Sequence, residues 1–177
     1  MNGYFPLCVV DTNVPMTANN RFEGDVSGEC VLACIRALKE IMEKGRIALD
    51  NLYLIMKEYE NNLRTSDQPG FGYAFYKWVK DHYANPIRCE LVTITPKKED
   101  SSDFKEFPCD SSLKNFDPSD RKFVAVSAAH NEHPPILQAV DSKWWGWKNP
   151  LSECGIQVNF LCPEDIAKKF TEKMIKS

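Results

Sequence analysis

The sequence predicts an α/β protein: a three-layer α/β/α domain built on a mostly parallel central sheet. Three observations carry that expectation. Short β-branched apolar runs alternate with longer stretches of helical periodicity. The short runs are apolar throughout, as strands covered on both faces must be. The chain has 177 residues, 43% hydrophobic and 27% charged, which suits one globular domain over 1–177.

The elements follow in order. FPLCVV at 5–10 reads as a buried strand stopped by Asp11 and Asn13, and a loop, TANNRFEGDVSG, comes next. ECVLACIRALKEIMEK at 29–44 repeats Val31, Cys34, Ile35, Leu38, Ile41 and Met42 at helical spacing. Ser27 is placed to cap that helix and Gly45 to end it. RIALD at 46–50 is a second strand. Asn51 opens a helix carrying Leu52, Ile55, Met56 and Tyr59 on one side. Residues 66–72 form a turn-rich link containing Pro69-Gly70, and 71–83 form an aromatic amphipathic helix. IRCELVTIT at 87–95 alternates as a strand does. Residues 96–119 are rich in Asp and Ser and read as a long loop. Asp120 begins a helix, RKFVAVSAAH, which Pro134-Pro135 stops. ILQAV then leads to Asp141, IQVNFLC at 156–162 is the last strand, and 163–176 is a C-terminal helix with Pro163 at its start.

Composition narrows the function. The 22 basic and 25 acidic residues leave a net charge of −3, so no basic footprint announces a nucleic-acid partner. No apolar run approaches the roughly 18 residues of a membrane helix, and MNGYFPLCVV lacks the basic and long apolar regions of a secretory signal. A cytoplasmic protein with no membrane partner is the expectation by elimination. The seven cysteines are scattered without a CxxC pair, and read as buried thiols in a reducing compartment.

The chemistry is expected at the carboxyl ends of the strands, where open parallel sheets bind ligands. CVV-Asp11 and QAV-Asp141 both end in a carboxylate, Asp120 opens a helix just upstream of the second, and Glu58 projects from the helix after RIALD. At an effective dielectric near 20, two such charges 4 Å apart repel by about 4 kcal/mol. A converging set therefore holds protons or a cation, and oxygen ligands without His or Cys favour Mg²⁺ or Mn²⁺. Glu29 and Glu40 compete with Glu58 for the second position, and Asp117 competes with Asp120; the DPSD setting of Asp117 suits a helix cap instead.

VVDTNV at 9–14, the acid in IMKEY at 55–59, DRKFVAVSAAH at 120–130 and ILQAVDSKW at 136–144 together resemble the PIN domain family. That family comprises metal-dependent ribonucleases, including the toxins of toxin–antitoxin pairs, and the likeness runs from about residue 5 to 162. The resemblance implies a PIN-like fold and an endoribonuclease using Mg²⁺ or Mn²⁺ held by Asp11, Glu58, Asp120 and Asp141, with Asn13 or Ser142 in support. It implies an RNA substrate, and an antitoxin-type partner and a homodimer as assemblies to look for. Lys143 stands where many members place another acid, a departure that points alternatively to a catalytically weak or inactive binding module. Lys143 and Trp144 are candidate nucleic-acid contacts, since aromatics interleaved with lysines can stack exposed bases. His130 and His133, near a helix end, are expected at the surface. An aspartyl-nucleophile phosphatase would want DxDxT after the first strand, and Asn13 and Pro15 break that pattern.

Overall fold

The structure, a computed structural model, describes residues 6–20, 24–64 and 70–176. Phe5 of the first strand, positions 21–23 of the first loop and most of the 66–72 link lie outside the described residues.

Five parallel strands form one sheet in the order β3-β2-β1-β4-β5. These are β1 (Leu7–Val10), β2 (Arg46–Asp50), β3 (Cys89–Val92), β4 (Ile136–Gln138) and β5 (Val158–Phe160). Helices flank it: α1 (Asn13–Ala18), α2 (Gly28–Lys44), α3 (Leu54–Leu63), α4 (Phe71–His82), α5 (Arg121–Ala129), α6 (Ser142–Glu153) and α7 (Pro163–Ile175). The result is the expected three-layer α/β/α arrangement. β1 is fully buried along its length, and Val9, Val10, Ile47, Ala48 and Leu49 form the middle of the core. Strand order reverses between β1 and β4, which pair at Val9–Ile136 and Val10–Leu137. No described helix is long and apolar enough to cross a membrane.

Local chemistry sets the boundaries. Ser27 accepts from the Cys30 amide at 3.1 Å, and the Gly45 amide closes α2 on the Ile41 carbonyl at 2.8 Å. α3 begins three residues later than Asn51, because the Asp50 side chain gathers the amides of Leu52, Leu54 and Ile55 before the helix can start. Tyr53, at φ 66°, makes the left-handed turn between the two. A β-carbon on Gly72 would lie 2.0 Å from the Pro15 carbonyl oxygen, so α4 packs against α1 at a distance only glycine permits.

Several expectations need correction. The segment after β1 is not all loop, since α1 occupies Asn13–Ala18. β3 and β5 are shorter than their apolar runs. Residues 96–119 are the long irregular segment expected, but they are not peripheral: Phe104, Phe107, Leu113 and Phe116 are buried in the core, and short 3₁₀ turns form at Ser111–Leu113 and Pro118–Asp120. β4 stops at Gln138, so Asp141 lies beyond the strand, at the cap of the unexpected helix α6. His130 is buried, with Nε2 2.9 Å from Glu90 Oε2, while His133 is exposed.

The cysteines are not all thiols. Cys30 and Cys162 are joined by a disulfide, their Cα atoms 5.2 Å apart, and the Cys34 sulfur lies within 4.8 Å of both. The bond fastens the first turn of α2 to the start of α7. Asp165 reinforces it by accepting from the Ser27 amide at 2.9 Å and its hydroxyl at 2.7 Å.

Candidate active site at the carboxyl end of the sheet

Asp11 leaves β1 at the strand-order reversal and is 5% exposed. Its Oδ1 accepts one backbone amide, that of Asn13, at 2.8 Å. Burial pushes its carboxyl well above the usual range, and Asp120, Glu58 and Asp141 push it further by their charge. The four sequence-predicted acids therefore feel one another. They are not tightly packed: among the described residues, no three of these carboxylates bring oxygens within 4.8 Å of one another.

Each acid is delivered by a different device. Asp120 sits at the N-cap of α5 without bonding that helix's amides, whereas Asp117 takes the capping role expected of it through the Ser119 amide at 3.0 Å. The Asp120 carboxylate instead accepts from the indole Nε1 of Trp144 at 3.2 Å. Burial raises it to about 6, with Asp141 and Asp117 adding to the effect. Asp141 caps α6 through the Lys143 amide at 3.0 Å. Glu58 comes from the middle of α3, and its Oε2 lies 2.5 Å from the Lys122 ammonium. The rivals Glu29 and Glu40 are exposed on α2.

Asn13 is a bracket between strands. Its backbone amide holds Asp11 while its Oδ1 accepts from the Val140 amide at 2.7 Å, fixing the ends of β1 and β4 together. Ser142 is buried beside it. The Tyr59 hydroxyl donates to the Val10 carbonyl at 2.5 Å, tying α3 to the end of β1. Two openings flank the acids. One, about 350 Å³, is lined by Lys57, Glu58, Phe104, Ser119 and Lys122. The other, about 460 Å³, is lined by Asn13, Asp141, Ser142 and the α7 lysines.

The candidate nucleic-acid contacts fare differently. Trp144 is 1% exposed, its ring edge-on to Phe116 with centroids 5.1 Å apart, so it cannot stack a base; it supports Asp120 from within the core. Trp145 packs on Phe160, with the Lys148 ammonium 3.6 Å from its ring centre. Lys143 extends to Asp117 at 2.8 Å, and that bond, with the Ser119 hydroxyl, holds the Asp117 carboxyl down at about 2.

Sequence reasoning missed three residues here. Lys122 is a buried lysine inside an apolar helix, and that placement in KFVAV was its signal. Asp50, visible in RIALD, is the other buried aspartate at a strand end, and its side chain is taken up by the amides opening α3. Thr12, whose buried hydroxyl finds no hydrogen-bond partner, had no signal at all.

The donor set suits a hard divalent ion. It is all oxygen and anionic, two of its carboxyls hold protons more tightly than usual, and an unpartnered hydroxyl stands next to Asp11. An ion such as Mg²⁺, which keeps several waters and uses one or two carboxylates, does not require the acids to touch. No protein-family model matches this chain, and neither does any curated protein or solved structure.

Proposed function

We propose that the protein is a Mg²⁺- or Mn²⁺-dependent endoribonuclease of the PIN type, hydrolysing phosphodiester bonds of single-stranded or structured RNA. The single observation behind this reading is that Asp11, Glu58, Asp120 and Asp141 converge electrostatically where the strand order reverses. One or two of Asp11, Asp120 and Asp141 would hold the ion directly and the rest would act through its waters, with Glu58 at the margin. When bound, such an ion lowers the pKa of water and neutralises charge on a phosphoryl group. The protein's own residues do the remaining work. Asn13 keeps Asp11 in register with the end of β4, and the Trp144 indole fixes the orientation of Asp120. Asp11 and Asp120 hold protons more tightly than ordinary carboxyls and would have to give them up to serve as ligands. The reading carries a cytoplasmic setting, and that makes the Cys30–Cys162 bond the feature to check in cells, since reducing compartments open such bonds. A toxin-type role, with an antitoxin partner or a homodimer, extends the same reading and is tested by co-purification and by light scattering.

The test is cleavage of a labelled single-stranded RNA with Mn²⁺, with EDTA, and by Asp11→Asn. Cleavage that persists in EDTA or in the variant rejects the proposal.

A second reading, a catalytically weak or inactive RNA- or protein-binding module, is favoured by two ion pairs: Lys122 holds Glu58 and Lys143 holds Asp117. Calorimetric titration with Mn²⁺ separates the two. RNA binding without measurable binding of millimolar Mn²⁺ selects the module.

A further inference from the structure

Among the described residues, Lys122 is the one buried lysine or arginine, and the proposed chemistry has not used it. It is the second residue of α5 and is 9% exposed. Three tethers hold its ammonium. It lies 2.5 Å from Glu58 Oε2, it donates to the Ser119 carbonyl, and it sits 4.7 Å from the centre of the Phe123 ring. The partners come from α3, from the turn at 118–120 and from α5 itself, so the charge is fixed from three directions rather than carried on a swinging surface chain. Both sides of the pair are sheltered: the Lys122 side chain is 11% exposed and that of Glu58 28%. The ammonium also acts on Asp120, opposing the carboxylates that surround it.

A buried charge needs a partner, and here the partner is one of the four acids. Two cations cannot share the Glu58 carboxylate without strong repulsion. Glu58 is thus already neutralised, while Asp11, Asp120 and Asp141 meet no comparable buried cation among the described residues. Lys143 approaches from outside, with its side chain 60% exposed, and its ammonium is engaged by Asp117.

We infer that Lys122 is the resident cation of the acid cluster: it occupies the place of a second metal at Glu58, so that a single divalent ion binds among Asp11, Asp120 and Asp141, on one or two of them directly. Lys122 and Glu58 act as a neutral positioning pair. This inference rests on the metal-dependent reading above, and the test separates the two.

The measurement is Mn²⁺ binding to the full chain by calorimetry, with thermal melts as a check on folding. Wild type binds one ion. Glu58→Gln leaves the ammonium uncompensated and weakens that ion at least tenfold. The double variant Glu58→Gln/Lys122→Met removes both charges and returns the affinity to within about threefold of wild type. Lys122→Met alone either binds the first ion at least tenfold tighter or accepts a second at Glu58. If this single variant fails to fold, the comparison of Glu58→Gln with the double variant still decides. Two ions in wild type overturn the inference, as does a double variant as weak as Glu58→Gln, since that result makes Glu58 itself a ligand. In either case the metal-dependent reading survives. Wild type that binds no Mn²⁺ overturns both.

Discussion

Two adjacent strands end in a buried aspartate, and the two aspartates have opposite surroundings. Asp50, after β2, accepts the amides of Leu52, Leu54 and Ile55 at 3.0, 2.8 and 2.7 Å. Its negative charge is absorbed by the start of α3, where the helix dipole also favours an anion. Asp11, after β1, accepts the Asn13 amide and otherwise faces three carboxylates. One side chain is a structural fastener with its lone pairs occupied. The other is held in an environment that disfavours its own charge. Residue type, burial and strand-end position are the same in both, so none of these marks a functional carboxylate. The number of amides offered to it, and the sign of its neighbours, do.

The sharpest way to break this contrast is activity. Asp11→Asn should lower Mn²⁺-dependent RNA cleavage by about a hundredfold to a thousandfold, the range seen when electrostatic groups of an active site are removed. Asp50→Asn should change it by less than about tenfold at temperatures where the variant is folded. Comparable losses in both would erase the distinction.

Stability should run the other way. Asp50→Ala leaves three amides at the start of α3 without their acceptor. At about 1–3 kcal/mol for each buried unsatisfied group, partly relieved by water, a total loss of about 3–5 kcal/mol is expected in urea unfolding. Asp11→Asn in EDTA should be neutral or stabilising by about 1 kcal/mol, because it removes a repelled charge.

The pH dependence sharpens the same point. Asp120 is held up at about 6 against an ordinary 3.8. Between those values the folded chain binds a proton that the unfolded chain has released. Stability of the metal-free protein therefore falls as pH rises from about 4 to 6. Asp120→Asn should flatten that fall, which amounts to no more than about 2 kcal/mol after allowing for the partial exposure of the group. Urea midpoints at pH 4 and pH 6.5 in EDTA measure it, and a stability that rises across this window for wild type contradicts the crowded-acid picture.

The smallest expected effect lies between the two regions. Tyr59 ties the helix fastened by Asp50 to the strand that ends at Asp11. Tyr59→Phe should cost about 1 kcal/mol, the worth of one buried hydrogen bond, with a modest drop in activity if the tie also steadies Asp11.

Much of the fold was legible. β2 runs from Arg46 to Asp50 as its apolar run predicts, and α2 starts within a residue of its expected place because a serine cap and a terminal glycine bracket a clear period. α1 and α6 were not legible. A six-residue helix cannot display a period, and SKWWGWKNPLSE carries a glycine and a proline inside the helix. The 96–119 segment misled because its aromatic residues recur without period, and only the tertiary fold shows that they enter the core. In the site, carboxylates near strand ends were readable from local sequence. The restraint of Glu58 by Lys122, and of Asp120 by Trp144, depends on α3, α5 and α6 meeting in space, which no spacing reveals.

The disulfide between Cys30 and Cys162 spans 132 positions, so it closes most of the polypeptide into a covalent ring. The helix it anchors, α7, supplies the lysines bordering the opening beside Asp141. A sample handled in dithiothreitol and one handled without it are therefore different molecules at the rim of the acid site. The choice of buffer decides which one an assay reports on.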